Sequence, residues 1–302
     1  MKSTHHYRLA FRDYLKNKAT AEDIAALNIR DRFDVEFPNE DVDATLYKAL
    51  KENNLFRQYS SILINETNAD GSILVSIPTT NAGITPEGSL YPNCGNETED
   101  IRFSSYKFGL IMRLQQSFID DTNFDFMHYI NTEFGKRFGT AEEDIALNGT
   151  GIEQPKGLLH TADIGATTSS LTYDSIIKLY FSVDAEYRKN AIFIMNDKTA
   201  YALRTLKNAD GNYLWNTSND TILGKKVVIS NHMNDDSKPV IFGDLSYFWM
   251  IIRRPLAVRI LAENYANTNE YGYIANERLD FKLVRSDAIK VLNLDSEEEM
   301  AQ

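Results

Sequence analysis

The chain has 302 residues, of which 43% are hydrophobic and 25% charged, and a formal net charge of −11. This is the balance of a globular protein long enough to bury its own core, and a single cysteine, Cys94, excludes an intrachain disulfide framework. The acidic excess, with no Lys/Arg run longer than two residues, argues against a protein that grips nucleic acid. Residues 1–10 lack the apolar run of a secretory signal, and no stretch approaches the roughly 18 apolar residues that span a bilayer.

In chain order, the first fifty residues read as an arm. Tyr7, Phe11, Tyr14 and Leu15 fall at helical spacing and predict one short helix. Residues 31–43 are polar and acidic, are interrupted by Pro38, and hold too few apolar side chains for a core of their own. From Ser72 the pattern turns to β: residues 73–77 predict a strand stopped by Pro78. Residues 81–95, with three Gly and two Pro, predict an extended tip. Strand character returns over 101–114, so the two runs make a protruding hairpin, marginal alone and in need of a neighbour.

The strongest helix follows. Asp120, Asp121 and Thr122 are the predicted cap, with Asp125 three residues after Thr122. Met127, Ile130, Phe134, Phe138, Ala141 and Ile145 then make one apolar stripe over about six turns. Gly135 and Gly139 weaken that helix by up to about 1 kcal/mol each relative to Ala and suit a bend or a close neighbour. Asn148-Gly149 predicts a left-handed stop. Further on, Thr172 predicts the cap of a helix carrying Ile176, Leu179, Tyr180, Val183 and Tyr187. Residues 191–195 predict a short buried strand and 197–206 a second helix. Strands are predicted at 227–229 and 240–242, with Pro255 dividing a hydrophobic run from 256–260, and late β segments at 271–284. The fold class is α+β, without the regular alternation of a doubly wound sheet.

No catalytic motif is present: no G-x-S-x-G, no phosphate-binding glycine loop, no H-E-x-x-H. His5, His6, His128, His160 and His232 show no metal-ligand spacing and read as surface or partly buried polar residues. Cys94 sits in a polar loop without a base nearby in sequence. Asp120, Asp121 and Asp125 are explained by a helix N-terminus more simply than by a metal. No residue is therefore assigned a catalytic, cofactor-binding or metal role, and no cofactor is expected.

Three phrases in order resemble the Hong Kong ninety-seven family of tailed-bacteriophage major capsid proteins. The first is the acidic run from Ala141 through Leu147-Asn148-Gly149-Thr150-Gly151 to Pro155-Lys156-Gly157-Leu158. The second includes Met195-Asn196, Leu203-Arg204, Asp210-Gly211-Asn212-Tyr213 and Leu223-Gly224-Lys225-Lys226. The third is Phe242-Gly243-Asp244-Leu245, Arg253-Arg254 and Asn276-Glu277-Arg278-Leu279-Asp280 before Ala288-Ile289. Tyr7-Arg8, Phe11 and Tyr14-Leu15 are similar to the family's stretch just after its scaffolding segment.

The resemblance implies the tailed-phage major capsid fold. Residues 1–55 would be the N-terminal arm and 56–106 the E-loop region. Residues 107–170 would be a peripheral domain with a spine helix over 120–147, residues 171–262 an axial domain, and 263–302 a return to the peripheral domain. It implies a non-enzymatic subunit that self-assembles into hexamers and pentamers of an icosahedral shell around double-stranded DNA. Portal and scaffold proteins would be partners, no membrane would be involved, and the chain would be found in the virion capsid after assembly in the host cytoplasm. The family's scaffolding segment is not matched, which suits a mature or trimmed form or a separate scaffold. Some relatives weld subunits by Lys–Asn isopeptide bonds. Here Thr85 stands where their hairpin lysine would be and Asn276 where their catalytic glutamate would be, so no covalent crosslinking is expected, although Asn269 falls at the acceptor's spacing. An encapsulin-like shell around enzyme cargo shares this fold and is the alternative. A soluble enzyme using Cys94 or the acidic cluster is the third reading.

Overall fold

The computed structural model describes residues 4–27, 34–38, 44–65, 71–78, 84–91, 96–120, 125–207, 213, 215 and 220–295. Helices α1 (Thr4–Leu15) and α2 (Ala21–Leu27) lead to a two-residue strand β1 (Val35–Glu36), then α3 (Ala44–Glu52), α4 (Phe56–Tyr59) and β2 (Ile62–Ile64). A hairpin of β3 (Gly71–Pro78) and β4 (Asn96–Phe103) precedes β5 (Tyr106–Gln115), α5 (Gln116–Asp120) and the long helix α6 (Phe126–Asn148). Next come α7 (Leu158–Thr161), β6 (Asp163–Thr168), α8 (Tyr173–Ser182), β7 (Ile192–Met195) and α9 (Asp197–Arg204). The chain closes with β8 (Thr221–Ile222), β9 (Lys225–Ile229), β10 (Val240–Gly243), β11 (Phe248–Leu261), β12 (Glu270–Leu283) and β13 (Ile289–Leu294).

The described residues form three sheets. One has the order β1-β11-β12-β5, with β2 added parallel to β11. The second has the order β6-β13-β10-β7-β9-β8, and the hairpin β3-β4 stands apart. The six-stranded sheet is buried on both faces, which is why its inner strands read as unbroken apolar runs. Ile192, Ile194, Ile241, Ile289 and Val291 face the core shared with α6. Phe193, Met195, Val240, Phe242 and Leu292 face a second core under α8 and α9, with Ile176, Leu179 and Leu203. The Thr172 cap is present as a reciprocal capping box with Ser175, and Asn196 caps α9.

The stripe on α6 is realised at Met127, Ile130, Phe134 and Phe138, all buried. Its predicted last members are not the core residues: Ala141 is exposed and Ile145 half-buried, while Glu142, Ala146 and Leu147 face inward. A straight helix advances 3.6 residues per turn, and rows of i+4 carry the buried line from Phe134 through Phe138 to Glu142. The cap is also placed differently. Asp125, not Thr122, accepts the His128 amide at 3.1 Å, and Asp121 and Thr122 lie outside the described residues. Gly135 and Gly139 serve close approach: a Cβ at Gly135 would stand 2.6 Å from the Ala49 Cβ and 2.8 Å from the Leu46 carbonyl oxygen. Helix α3 therefore lies directly on α6. Gly149 ends the helix in an extended, not left-handed, conformation (φ −53°, ψ 131°). Its missing Cβ makes room for the Pro155 carbonyl.

Other expectations are corrected by tertiary pairing. The run 101–114 is two strands, since Ser104 and Ser105 separate β4, in the hairpin, from β5, in the five-stranded sheet. Pro255 does not divide a strand: β11 runs through it, with register shifts between Ile252 and Arg254 and between Arg254 and Ala257. Bulges are where a sheet tolerates proline. Val183 and Tyr187 lie beyond the end of α8. The N-terminal segment lies against its own chain: Tyr7, Phe11, Leu15, Leu27, Val35 and Phe37 join the main core, with Phe37 bridging Phe11 (5.3 Å) and Phe134 (5.7 Å). Residues 56–64 likewise belong to the body, Phe56 being fully buried against Phe248. Strand β11 is in the five-stranded sheet and β13 in the six-stranded one, so neither lobe is one continuous stretch of chain.

Candidate assembly surfaces and a buried charge cluster

Residues that carry chemistry converge at one interior point. Arg57 donates from Nε to Glu142 Oε2 and from Nη2 to Glu142 Oε1, each at 2.6 Å, and approaches Glu277 at 3.4 Å. Asn54 donates to Glu142 at 2.7 Å. Glu143 accepts from the Leu55 amide at 2.8 Å and from the Ser230 hydroxyl at 2.6 Å. Burial by itself would depress the Arg57 pKa, but the charge and hydrogen bonds of Glu142 leave it raised. Burial first, then the like charge of Glu142, push Glu277 well above the ordinary carboxylate range. All of these side chains are buried. Their effect is to tie α4, α6, β12 and the loop at Ser230 together. The sequence signal for them was Glu142 standing four residues after Phe138 on a buried row.

The remaining candidates are dispersed. Asp120 is exposed and pairs with Lys18 at 3.0 Å, while Asp125 caps α6. His6, His128 and His160 are exposed, and His232 is half-buried 3.6 Å from Asp144. Cys94 lies outside the described residues. Among the described residues no group of three or more His, Cys, Asp or Glu could hold a metal, and no helix is long and apolar enough to cross a membrane.

The outward surfaces are more telling. The hairpin is anchored at its base by Ile101 and Phe103, both buried, with the Arg253 guanidinium 5.0 Å above the Phe103 ring. Away from the base it shows Leu74 (72% exposed) and, at the tip, Ile84 (103%), Leu90 (96%) and Tyr91 (86%). Four large apolar side chains left exposed between residues 74 and 91 mark a segment that suits being covered.

The five-stranded sheet turns Tyr273, Ala275 and Leu279 to the core. Its outer face carries Ile274, Asn276 and Arg278 of β12, beside Lys107 and Ile111 of β5. The bulges in β11 bring Arg254 opposite Arg278 on this face. Lys107, Arg254, Arg259, Ile274, Asn276, Arg278 and Asp34 line a cleft of about 410 Å³. Glu277, next in sequence to Asn276, points the other way, into the Arg57 cluster. Asn269 closes the β11–β12 turn in a left-handed conformation (φ 57°).

This architecture has known counterparts. The model of the phage capsid family matches residues 39–294, and the chain belongs to that family. The fold is similar to the capsid of a native GTA particle, at 23% identity and TM-score 0.64, over 80% of this chain and 90% of that one. It is also similar to the capsid of an empty GTA particle, at 24% identity and TM-score 0.66, over 81% and 90%. A chain from Microbacterium phage Oxtober96 matches at 17% identity and TM-score 0.61, over 80% and 91%. No curated protein matches significantly. The chain is a capsid protein that forms an icosahedral shell.

Proposed function

We propose that this chain is the major capsid protein of a tailed bacteriophage or phage-like particle, self-assembling as hexamers and pentamers around double-stranded DNA. It works without catalysis or a cofactor and assembles in the host cytoplasm with portal and scaffold proteins as partners. The five-stranded sheet with α6 would form the peripheral domain, the six-stranded sheet with α8 and α9 the axial domain, and β3-β4 the E-loop. The observation that carries this reading, beside family membership, is the apolar hairpin tip of Ile84, Leu90 and Tyr91, nearly fully exposed on the isolated subunit. Interfaces of this kind bury on the order of 1,600 Å² or more, and such a tip supplies part of that area. The acidic net charge of −11 suits a container whose wall must not hold its genome tightly. The test is negative-stain microscopy and sedimentation of the purified protein. Polyhedral particles, sheets or tubes are expected, and a compact monomer under every salt and scaffold condition would overturn the reading.

A further inference from the structure

A small cavity of about 60 Å³ lies between α3 and the five-stranded sheet. Leu46 and Leu50 of α3 form one wall, and Ile252 and Leu256 of β11 form the other. All four are buried. Ile64 of β2 stands at the mouth, 66% exposed. Arg57 and Glu277 make the polar end. Arg57 commits its Nε and one Nη2 contact to Glu142 and a second Nη2 contact to Glu277 Oε2. The other oxygen of that carboxyl, Glu277 Oε1, is buried and has no hydrogen-bond partner among the described residues, on a residue only 1% exposed. A buried polar atom left without a partner is costly. An apolar recess with one convergent polar group has the make-up of a small-molecule site.

We propose that this cavity is a binding site for a small neutral alcohol, with its hydroxyl on Glu277 Oε1 and its hydrocarbon end between Leu46, Leu50, Ile252 and Leu256. The volume sets the length. A cavity of roughly 150 Å³ lined by Leu, Ile and Phe holds benzene. One of about 60 Å³ therefore takes roughly three or four heavy atoms. The polar end sets the charge and the headgroup. Arg57 and Glu142 neutralise one another through their two-point contact. Burial first, then the like charge of Glu142, keep the proton on Glu277 above the ordinary carboxylate range. A charged ligand would thus be buried unpaired. A hydroxyl donates to Oε1 as a bare oxygen and accepts from it when it carries the proton, so it suits either form. Water would answer the oxygen and leave the apolar walls wet, whereas an alcohol answers both. The cavity is bounded by α3, α4, β11 and β12, so its occupant holds α3 against the sheet. The inference does not depend on the shell reading given above.

The test is methyl-resolved NMR of the full-length, unassembled chain titrated with n-propanol. Saturable shifts confined to the methyls of Leu46, Leu50, Ile64, Ile252 and Leu256 are expected. So small a ligand should half-saturate at about 10 mM or below. Propylammonium and propionate, of matching size, should give no saturable shift. Leu256→Phe fills the cavity from its wall, and Ile64→Trp, at an exposed position, closes the mouth without entering the core. In either variant that circular dichroism shows to be folded, affinity for n-propanol should fall about tenfold or more. Shifts that stay linear throughout, an equal response to propylammonium, or undiminished binding by a folded variant overturns the inference. A water molecule that keeps its nuclear Overhauser contact with the Leu46 and Leu256 methyls at the highest n-propanol concentration assigns the cavity to water and overturns it. Absence of n-propanol binding, together with shifts of the same methyls on assembly, assigns the cavity to a side chain of a neighbouring copy and overturns it too.

Discussion

Arg57 and Glu142 meet in a two-point grip, with each carboxylate oxygen 2.6 Å from a different guanidinium nitrogen. Glu142 is fully buried and Arg57 nearly so. The pair joins residues 85 positions apart, and Glu277 from β12 closes the group as a second carboxylate. Two carboxylates around one guanidinium cannot both be charged cheaply in a dry site, and the raised pKa of Glu277 is how the site resolves this.

Removing either partner of the grip should be severe. Arg57→Ala or Glu142→Ala leaves an unmatched buried charge, and a loss of about 3–5 kcal/mol is expected. Urea unfolding of the unassembled subunit measures it. A loss below that of an ordinary surface substitution would contradict the grip.

Glu277 should behave oppositely. Its folded pKa lies well above the ordinary glutamate value of 4.5, so the folded state binds the proton more tightly than the unfolded state. Its contribution is therefore fully present below about 4.5 and is lost as pH rises through the folded pKa. Glu277→Gln keeps the neutral shape. It is expected to cost little and to flatten the decline in stability above that pH, as followed by the urea midpoint across a pH series.

Gly135→Ala sets two effects against each other. Helix propensity favours alanine by about 1 kcal/mol. The new methyl would stand 2.8 Å from the backbone oxygen of Leu46, and forcing α3 off α6 costs about 1–3 kcal/mol. Net destabilisation is expected, visible as a lower urea midpoint, and a gain in stability would show that α3 yields freely.

Mature particles boiled in SDS should run as one band near 34.4 kDa. The hairpin between residues 71 and 101 offers no amine, and the β12 position facing the cleft is Asn276, which cannot take a proton as a carboxylate does. Asp34, the cleft carboxylate, is held between Arg254 and Arg259. A ladder of higher bands that survives reducing agent would mean that another lysine has found a base.

Deleting residues 81–95 and closing β3 to β4 with a short turn should spare folding and abolish assembly. The described part of this segment makes no core contact. Circular dichroism and sedimentation separate the two effects, and normal particles from the shortened chain would remove the tip from the interface.

The sequence made local periodicity legible, and little that depends on pairing across distance. The α6 stripe, the strand at 192–195 and the Thr172 cap could be read because each is decided within a few turns or residues. The continuity of β11 through Pro255 could not, because a bulge that accommodates proline is set by the partner strand. Nor could the burial of the N-terminal helix. Tyr7, Phe11 and Leu15 announced an apolar face but not what would cover it. The cationic cleft was illegible for the same reason, since Asp34, Lys107, Arg254 and Arg278 come from three distant parts of the chain and meet only through strand register.

The six-stranded sheet has a mechanical consequence. Its strands alternate their side chains between the two cores, Ile194 into one and Phe193 and Met195 into the other. The sheet is thus a common wall, and neither lobe can swing on a hinge without shearing close-packed apolar layers. In the shell proposed above, a packed genome would push outward on every subunit. That pressure would be transmitted as tension through the shared wall into both lobes, so the weakest points of such a shell would lie between subunits and not inside them.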